Sequence, residues 1–129
     1  MNYPVVYLQN SDFDHNGNII NPLLKNRKVL IMTQADYCGH CTEAKPHFEK
    51  AAKILKSKGS KTIFATIHAD SENVEEKNLM KIINKINPKF AGFPDYVMFE
   101  NGKRRDDNGP NGRTSKYLIE YMNDVSRRI

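Results

Sequence analysis

The sequence contains no run approaching the roughly 20 consecutive apolar residues that cross a bilayer, so no membrane-spanning helix and no membrane partner are expected. Its first residues, Met1-Asn2-Tyr3-Pro4-Val5, lack the basic start and apolar core of a secretory leader. No Asn-x-Ser/Thr sequon occurs, and Ser126-Arg127-Arg128-Ile129 is no retention signal. A cytoplasmic location is the expectation that these absences set. There is also no basic run interleaved with aromatics. The net charge of +5 arises from Lys and Arg mixed with Asp and Glu along the chain. That pattern reads as a solvated surface and not as a nucleic-acid footprint. Lys103-Arg104-Arg105 is offset in the same way by Asp106-Asp107.

Cysteine is scarce. The two present, Cys38 and Cys41, are three positions apart. A structural disulfide stabilises by closing a loop, and the gain grows with loop length. A four-residue ring staples almost nothing, so this pair points to redox exchange or metal binding. Zinc would need about four ligands. Only His47 and His68 are plausible additions, and His47 lies six residues past Cys41, on another helix face. No metal is therefore expected. Asp12-Phe13-Asp14-His15-Asn16-Gly17 resembles the first half of a calcium loop. Its twelfth position is Leu23, where a bidentate Glu belongs, and Pro22 intrudes. A turn built on Asn16-Gly17 is the expectation there.

The length of 129 residues fits one domain, 1–129, and 39% hydrophobic residues suffice for a core without staples. Val5–Leu8 reads as a short strand. Asn21 caps a helix with Pro22 at its first position. Val29-Leu30-Ile31-Met32 is a continuous apolar run, as in a strand buried on both faces. A helix follows from Gly39 to about Lys58, with Ala44, Phe48, Ala51 and Leu55 on one face, Pro46 as a kink and Gly59 as the stop. Thr62–Ile67 is a second central strand. A helix from Asp70 or Ser71 carries Leu79, Ile82, Ile83 and Ile86 inward, and Asn87-Pro88 ends it. Tyr96–Phe99 is a third such strand. Asn101-Gly102 signals a hairpin to an antiparallel strand near Lys103. A last helix from Ser115 buries Leu118, Tyr121, Met122 and Val125. The order is β-α-β-α-β-α-β-β-α: an α/β domain with a mixed sheet of about five strands flanked by helices.

Cys38 thus stands between a buried strand and the start of a helix. Unpaired amides and the positive end of the helix dipole favour an anionic sulfur there. Cys41, one turn on, is more shielded. The spacing makes Cys38 the nucleophile that forms a mixed disulfide and Cys41 the thiol that resolves it. Gly39 and His40 lie between them. An imidazole that carries a proton beside the thiolate favours the dithiol and so makes the disulfide more oxidising.

With Cys38-Gly39-His40-Cys41 in place, the chain resembles the thioredoxin superfamily, and within it the catalytic domains of protein disulfide isomerases. The similarity runs from about Val5 to Val125. Pro46 matches the family's helix proline, Gly92-Phe93-Pro94 its glycine-aromatic-proline segment, and Asn111-Gly112-Arg113-Thr114 its glycine-arginine stretch. The resemblance implies a thioredoxin fold and a thiol–disulfide oxidoreductase. It implies a cis Pro94 facing the cysteines and a Phe93 backbone that pairs with an extended substrate. Arg113 is implied to tune Cys41. Tyr37, where the family has tryptophan, and Phe93 would hold apolar peptide side chains. The implied partners are protein or peptide thiols and disulfides, joined through Cys38, with an oxidase or reductase upstream. No cofactor beyond the Cys38–Cys41 disulfide is implied, and a monomer is expected. Isomerase-type motif and absent leader pull toward different compartments, which a viral or organelle-specific pathway would reconcile.

Three departures matter. Asp36 replaces the proline of isomerases, and Asp95 replaces a threonine after Pro94. The family also places a buried acid six residues before the first cysteine, often beside a lysine on the next strand. Here those positions are Met32 and Thr66. Both members of the pair are missing together, which avoids an unpaired buried lysine. Proton transfer at Cys41 then falls to Asp36, His40 or solvent. The chain between Cys41 and Pro94 is also longer than usual, with the extra length in the third helix and in residues 87–91.

Overall fold

The computed structural model of the chain describes residues 1–127. Its elements are β1 (Val6–Tyr7), α1 (Pro22–Lys25), β2 (Lys28–Gln34), α2 (Gly39–Ser57), β3 (Ile63–His68), α3 (Val74–Lys77), α4 (Ile83–Ile86), β4 (Asp95–Glu100), β5 (Lys103–Arg104) and α5 (Ser115–Arg127). A 3-10 turn over Asn78–Ile82 joins α3 to α4. The five strands form one sheet in the order β1-β3-β2-β4-β5. β1, β3 and β2 run parallel, and β4 and β5 complete the sheet antiparallel. This is the thioredoxin fold that the motifs imply.

The continuous apolar run of β2 is explained by its central position. Residues of alternating parity face opposite layers. Leu30 and Met32 join Phe64 and Met98 beneath α2 and α5, where Ala44, Phe48, Ala51, Leu55, Leu118, Met122 and Val125 close one core. Val29 and Ile31 join Ala65, Ile67, Val97 and Phe99 on the other face, against Leu79, Ile83 and Ile86. Tyr121 is only partly buried, and its hydroxyl bonds to Asp107 at 2.9 Å.

Local signals account for several boundaries. The Asn21 side chain accepts from Leu23 N–H at 2.9 Å, with Pro22 opening α1. Asn101 (φ 54°) and Gly102 (φ 81°) make the β4–β5 turn. The acidic loop is a turn: Asp14 accepts the Asn16 and Asn18 amides, each at 2.9 Å, and Asp12 accepts from Gln9 N–H and Asn21 Nδ2, each at 2.7 Å. Gly17, at φ 83°, lies so close to α4 that a Cβ would come within 2.5 Å of the Lys85 carbonyl.

The third helix departs from expectation. It begins at Val74 rather than Asp70 or Ser71, and it is split into α3, the 3-10 turn and α4. The earlier caps are engaged elsewhere. The Asp70 carboxylate takes the Asp36 amide at 2.9 Å, and the Ser71 hydroxyl donates to Glu76 at 2.8 Å. Asn73 is the first side chain left to accept helix amides, from Glu75 and Glu76. Ile82 is only half-buried, while Leu79, Ile83 and Ile86 reach the core.

Candidate active site

Cys38 is the N-cap of α2, with extended backbone at φ −87° and ψ 114°. Its Sγ accepts the Cys41 N–H at 3.1 Å. The sulfur therefore sits among the unsatisfied first amides of a long helix. Its carbonyl accepts Thr42 N–H at 3.1 Å and begins the helical ladder. Cys38 is half-buried, Cys41 fully buried, and both are free thiols. The inequality separates two tasks: one sulfur faces solvent, and the other reaches little beyond its neighbour. Gly39 and His40 are exposed on the first turn. A Cβ on Gly39 would meet nothing within 4 Å, so this glycine leaves the face above the pair open without being required by packing.

Burial pushes the Cys41 thiol up from 9.0 to about 11. Its contact with Cys38 adds to this, while a backbone bond from Ala35 and the charge of Lys45 oppose it. Cys41 binds its proton more tightly folded than unfolded. Its contribution to stability is full below 9.0 and is lost as pH rises toward about 11, because the unfolded chain loses the proton first. Urea melts of the reduced protein across that window should show a falling stability, and Cys41→Ser should remove part of the slope. An identical slope in both proteins would contradict the burial of this thiol.

The Phe93–Pro94 peptide is cis. The exposed Tyr37 ring stands edge-on to Phe93 with centroids 6.0 Å apart, and Phe93 meets Phe90 at 5.3 Å. Three rings thus run from the active-site turn into the longer segment at residues 87–91. Asn87 anchors that segment by donating a hydrogen bond from Nδ2 to the Asp95 carboxylate and by accepting Lys89 N–H at 3.1 Å. Burial raises the Asp95 carboxyl above the usual carboxylate range, against the Asn87 bond.

Met32 and Thr66 face each other in register across β2 and β3. Met32 is fully buried, and the Thr66 hydroxyl donates to the Met32 carbonyl at 2.8 Å. Neither position supplies a titratable group. Asp36 lies on the loop before Cys38. Its Oδ1 lies 2.9 Å from His68 Nε2, off the line of a good hydrogen bond, and 3.3 Å from Lys45 Nζ. Partial desolvation works the other way, but His68 and Lys45 hold the Asp36 carboxyl below its usual range. Arg113 is exposed beside Tyr96 and lines a hollow of about 260 Å³ with Pro94. The charge of Lys45, four residues after Cys41 on α2, works to lower the Cys41 thiol.

Several residues at the site have no distinct sequence signal. Lys45 reads as one surface lysine among many. Phe90 reads as part of an insertion, and His68 as a remote zinc candidate. Asp36, His68 and Asp70 place potential ligand atoms within 4.8 Å of one another, but these atoms already contact each other and Lys45. The Tyr96 hydroxyl is buried without a partner among the described residues, and burial pushes it up to about 12.

The thioredoxin family model matches residues 4–124, and the chain belongs to that family. It is 52% identical over 127 residues to thioredoxin-like protein 453L of Invertebrate iridescent virus 6, covering 92% of each chain. It is 31% identical over 119 residues to protein disulfide-isomerase A5 of Bos taurus, covering 92% of this chain and 20% of that protein. The chain therefore spans about a fifth of that isomerase. Among solved structures, human ERp44 form II superposes with a TM-score of 0.71 at 19% identity, over 96% of this chain and 30% of that one. This likeness shows the fold. At the level of family, these relationships support a thiol–disulfide oxidoreductase. No helix among the described residues is long and apolar enough to cross a membrane.

Proposed function

We propose that the chain exchanges a Cys38–Cys41 dithiol/disulfide with protein substrates, in the direction of disulfide formation or isomerisation. The carrying observation is the paired geometry: a half-exposed Sγ at the cap of α2 and a buried thiol one turn behind it. Cys38 attacks a substrate disulfide or is attacked, in the disulfide form, by a substrate thiolate. Cys41 or the substrate's second thiol resolves the intermediate. The pair is its own redox group, and no metal or organic cofactor enters the exchange. The ring series Tyr37–Phe93–Phe90 favours an unfolded or peptide partner with apolar side chains, bound by a monomer. His40, where thioredoxin has proline, supports the oxidising direction. Reference potentials of thioredoxin and protein disulfide isomerase differ by about 90 mV, roughly a thousandfold in equilibrium constant. An upstream oxidase would reset the pair, and a cytoplasmic or virion setting is proposed with it. The viral relative supports that setting.

The test is the Cys38–Cys41 potential against glutathione, with turnover of a disulfide peptide. A value near the isomerase reference of about −180 mV is expected. A value near thioredoxin's about −270 mV would overturn the oxidising direction in favour of a reductase. Absence of turnover in either direction would favour a binding module, a reading supported by the missing acid at Met32.

A further inference from the structure

A resolving thiol must lose its proton before it attacks, yet Cys41 is buried and the strand positions beside it, Met32 and Thr66, carry no acid or base. Lys45 follows Cys41 by four residues on α2, so the two side chains share one helix face. The lysine side chain is only 24% exposed. Its Nζ is drawn 3.3 Å from Asp36 Oδ1, on the loop that carries Cys38. Asp36 is itself fixed. Its amide donates to both Asp70 oxygens at 2.9 and 3.0 Å, and its carboxylate contacts His68 at the end of β3. A lysine at a solvated site keeps its freedom of rotation; this one is half-buried and tied to Asp36 on the preceding loop, which is itself fixed by Asp70 and His68.

We propose that Lys45 is a positioning residue for thiol–disulfide exchange: held by Asp36, its ammonium stabilises the Cys41 thiolate as that thiolate forms or departs. This inference rests on the exchange reading above. In the mixed disulfide, Cys41 gives its proton to solvent, and its sulfur attacks Cys38 Sγ. The Cys38–substrate S–S bond breaks, and the substrate sulfur leaves with the electron pair and takes a proton from solvent. The cysteines are oxidised to a disulfide and the substrate is reduced by the same two electrons. In reverse, Cys41 is the leaving thiolate and meets the same ammonium. Lys45 keeps its proton throughout, and Asp36 acts as its tether and not as the base.

The charged groups around this cation are Cys41 on its own helix, Asp36 on the preceding loop, and His68 and Asp70 behind Asp36. Glu76 stands 3.9 Å from the other His68 nitrogen. Glu49, one turn further along α2, is paired with Lys53 at 3.3 Å. The cation therefore has the Asp36 carboxylate as its ion-pair partner and the Cys41 thiol one helical turn before it on α2. An opposite charge within about 4–6 Å moves a titrating group by about 1 to 3 pH units, and the partly open site favours the lower end.

The test uses the reduced protein and excess of an aromatic disulfide whose thiol is coloured. The first release of colour reports attack by Cys38 and scales with reagent concentration. The second reports resolution by Cys41 and does not. At neutral pH, Lys45→Met should slow the second phase about tenfold while leaving the first within about twofold, and Lys45→Arg should restore it. Asp36→Asn should slow the second phase less than Lys45→Met does. An unchanged second phase in Lys45→Met overturns the role of Lys45, as does an equal slowing of both phases. A wild-type protein with no second phase would overturn the exchange reading itself, so the two failures are distinguishable.

Discussion

Replacing Cys38 by serine should reduce turnover of a disulfide peptide to the rate of uncatalysed exchange while leaving the fold intact. The thiolate is the nucleophile, and a hydroxyl is not ionised at neutral pH. The structural role of the side chain survives the change. Cys38 Sγ caps α2 by accepting the Cys41 amide, and serine is among the preferred caps for the same bond. Urea melts should therefore show equal or slightly higher stability. This separation makes the variant informative: loss of both activity and stability would mean that the cysteine serves packing. Retained turnover would mean that exchange occurs at another centre.

The largest effect on stability is expected at Phe48. It is fully buried in α2, with its ring 4.8 Å from Phe64 and 6.1 Å from Tyr96. Phe48→Ala removes this contact from the core that joins α2, α5 and the sheet, and should cost about 3–5 kcal/mol in urea unfolding. Because α2 also carries both cysteines, exchange should slow when measured near the unfolding transition. A loss below about 1 kcal/mol would contradict the packing described, since even one buried methylene contributes about that much.

Much of this arrangement is legible in the amino-acid sequence. Val29–Met32 is apolar at every position because β2 is central and covered on both faces. Asn101-Gly102 reads as a hairpin because both residues need positive φ. The cysteine pair is legible because two thiols three apart have little structural use. The features that the sequence hides depend on contacts between distant segments. Asp70 and Ser71 look like helix caps, but Asp70 takes the Asp36 amide and Ser71 bonds Glu76 and the Asn73 amide, so Asn73 is the cap and α3 begins at Val74. Asp36 reads as a loop residue just before the cysteines, and its pairing with His68 at the end of β3 and Lys45 on α2 has no local signal. Lys45 reads as one surface lysine among many, yet its charge bears on the Cys41 thiol. Phe90 joins the active-site aromatics only because the added segment folds back onto Phe93.

The central claim is that Cys38 meets the substrate and Cys41 resolves the bond. The most direct measurement is the mass of the covalent adduct formed when reduced Cys41→Ser protein is mixed with a disulfide peptide and quenched in acid. A stable one-to-one mixed disulfide on Cys38 is the result predicted, with no adduct in the Cys38→Ser counterpart. An adduct on Cys41 in the Cys38→Ser protein, or none on Cys38 in the Cys41→Ser protein, would contradict the account.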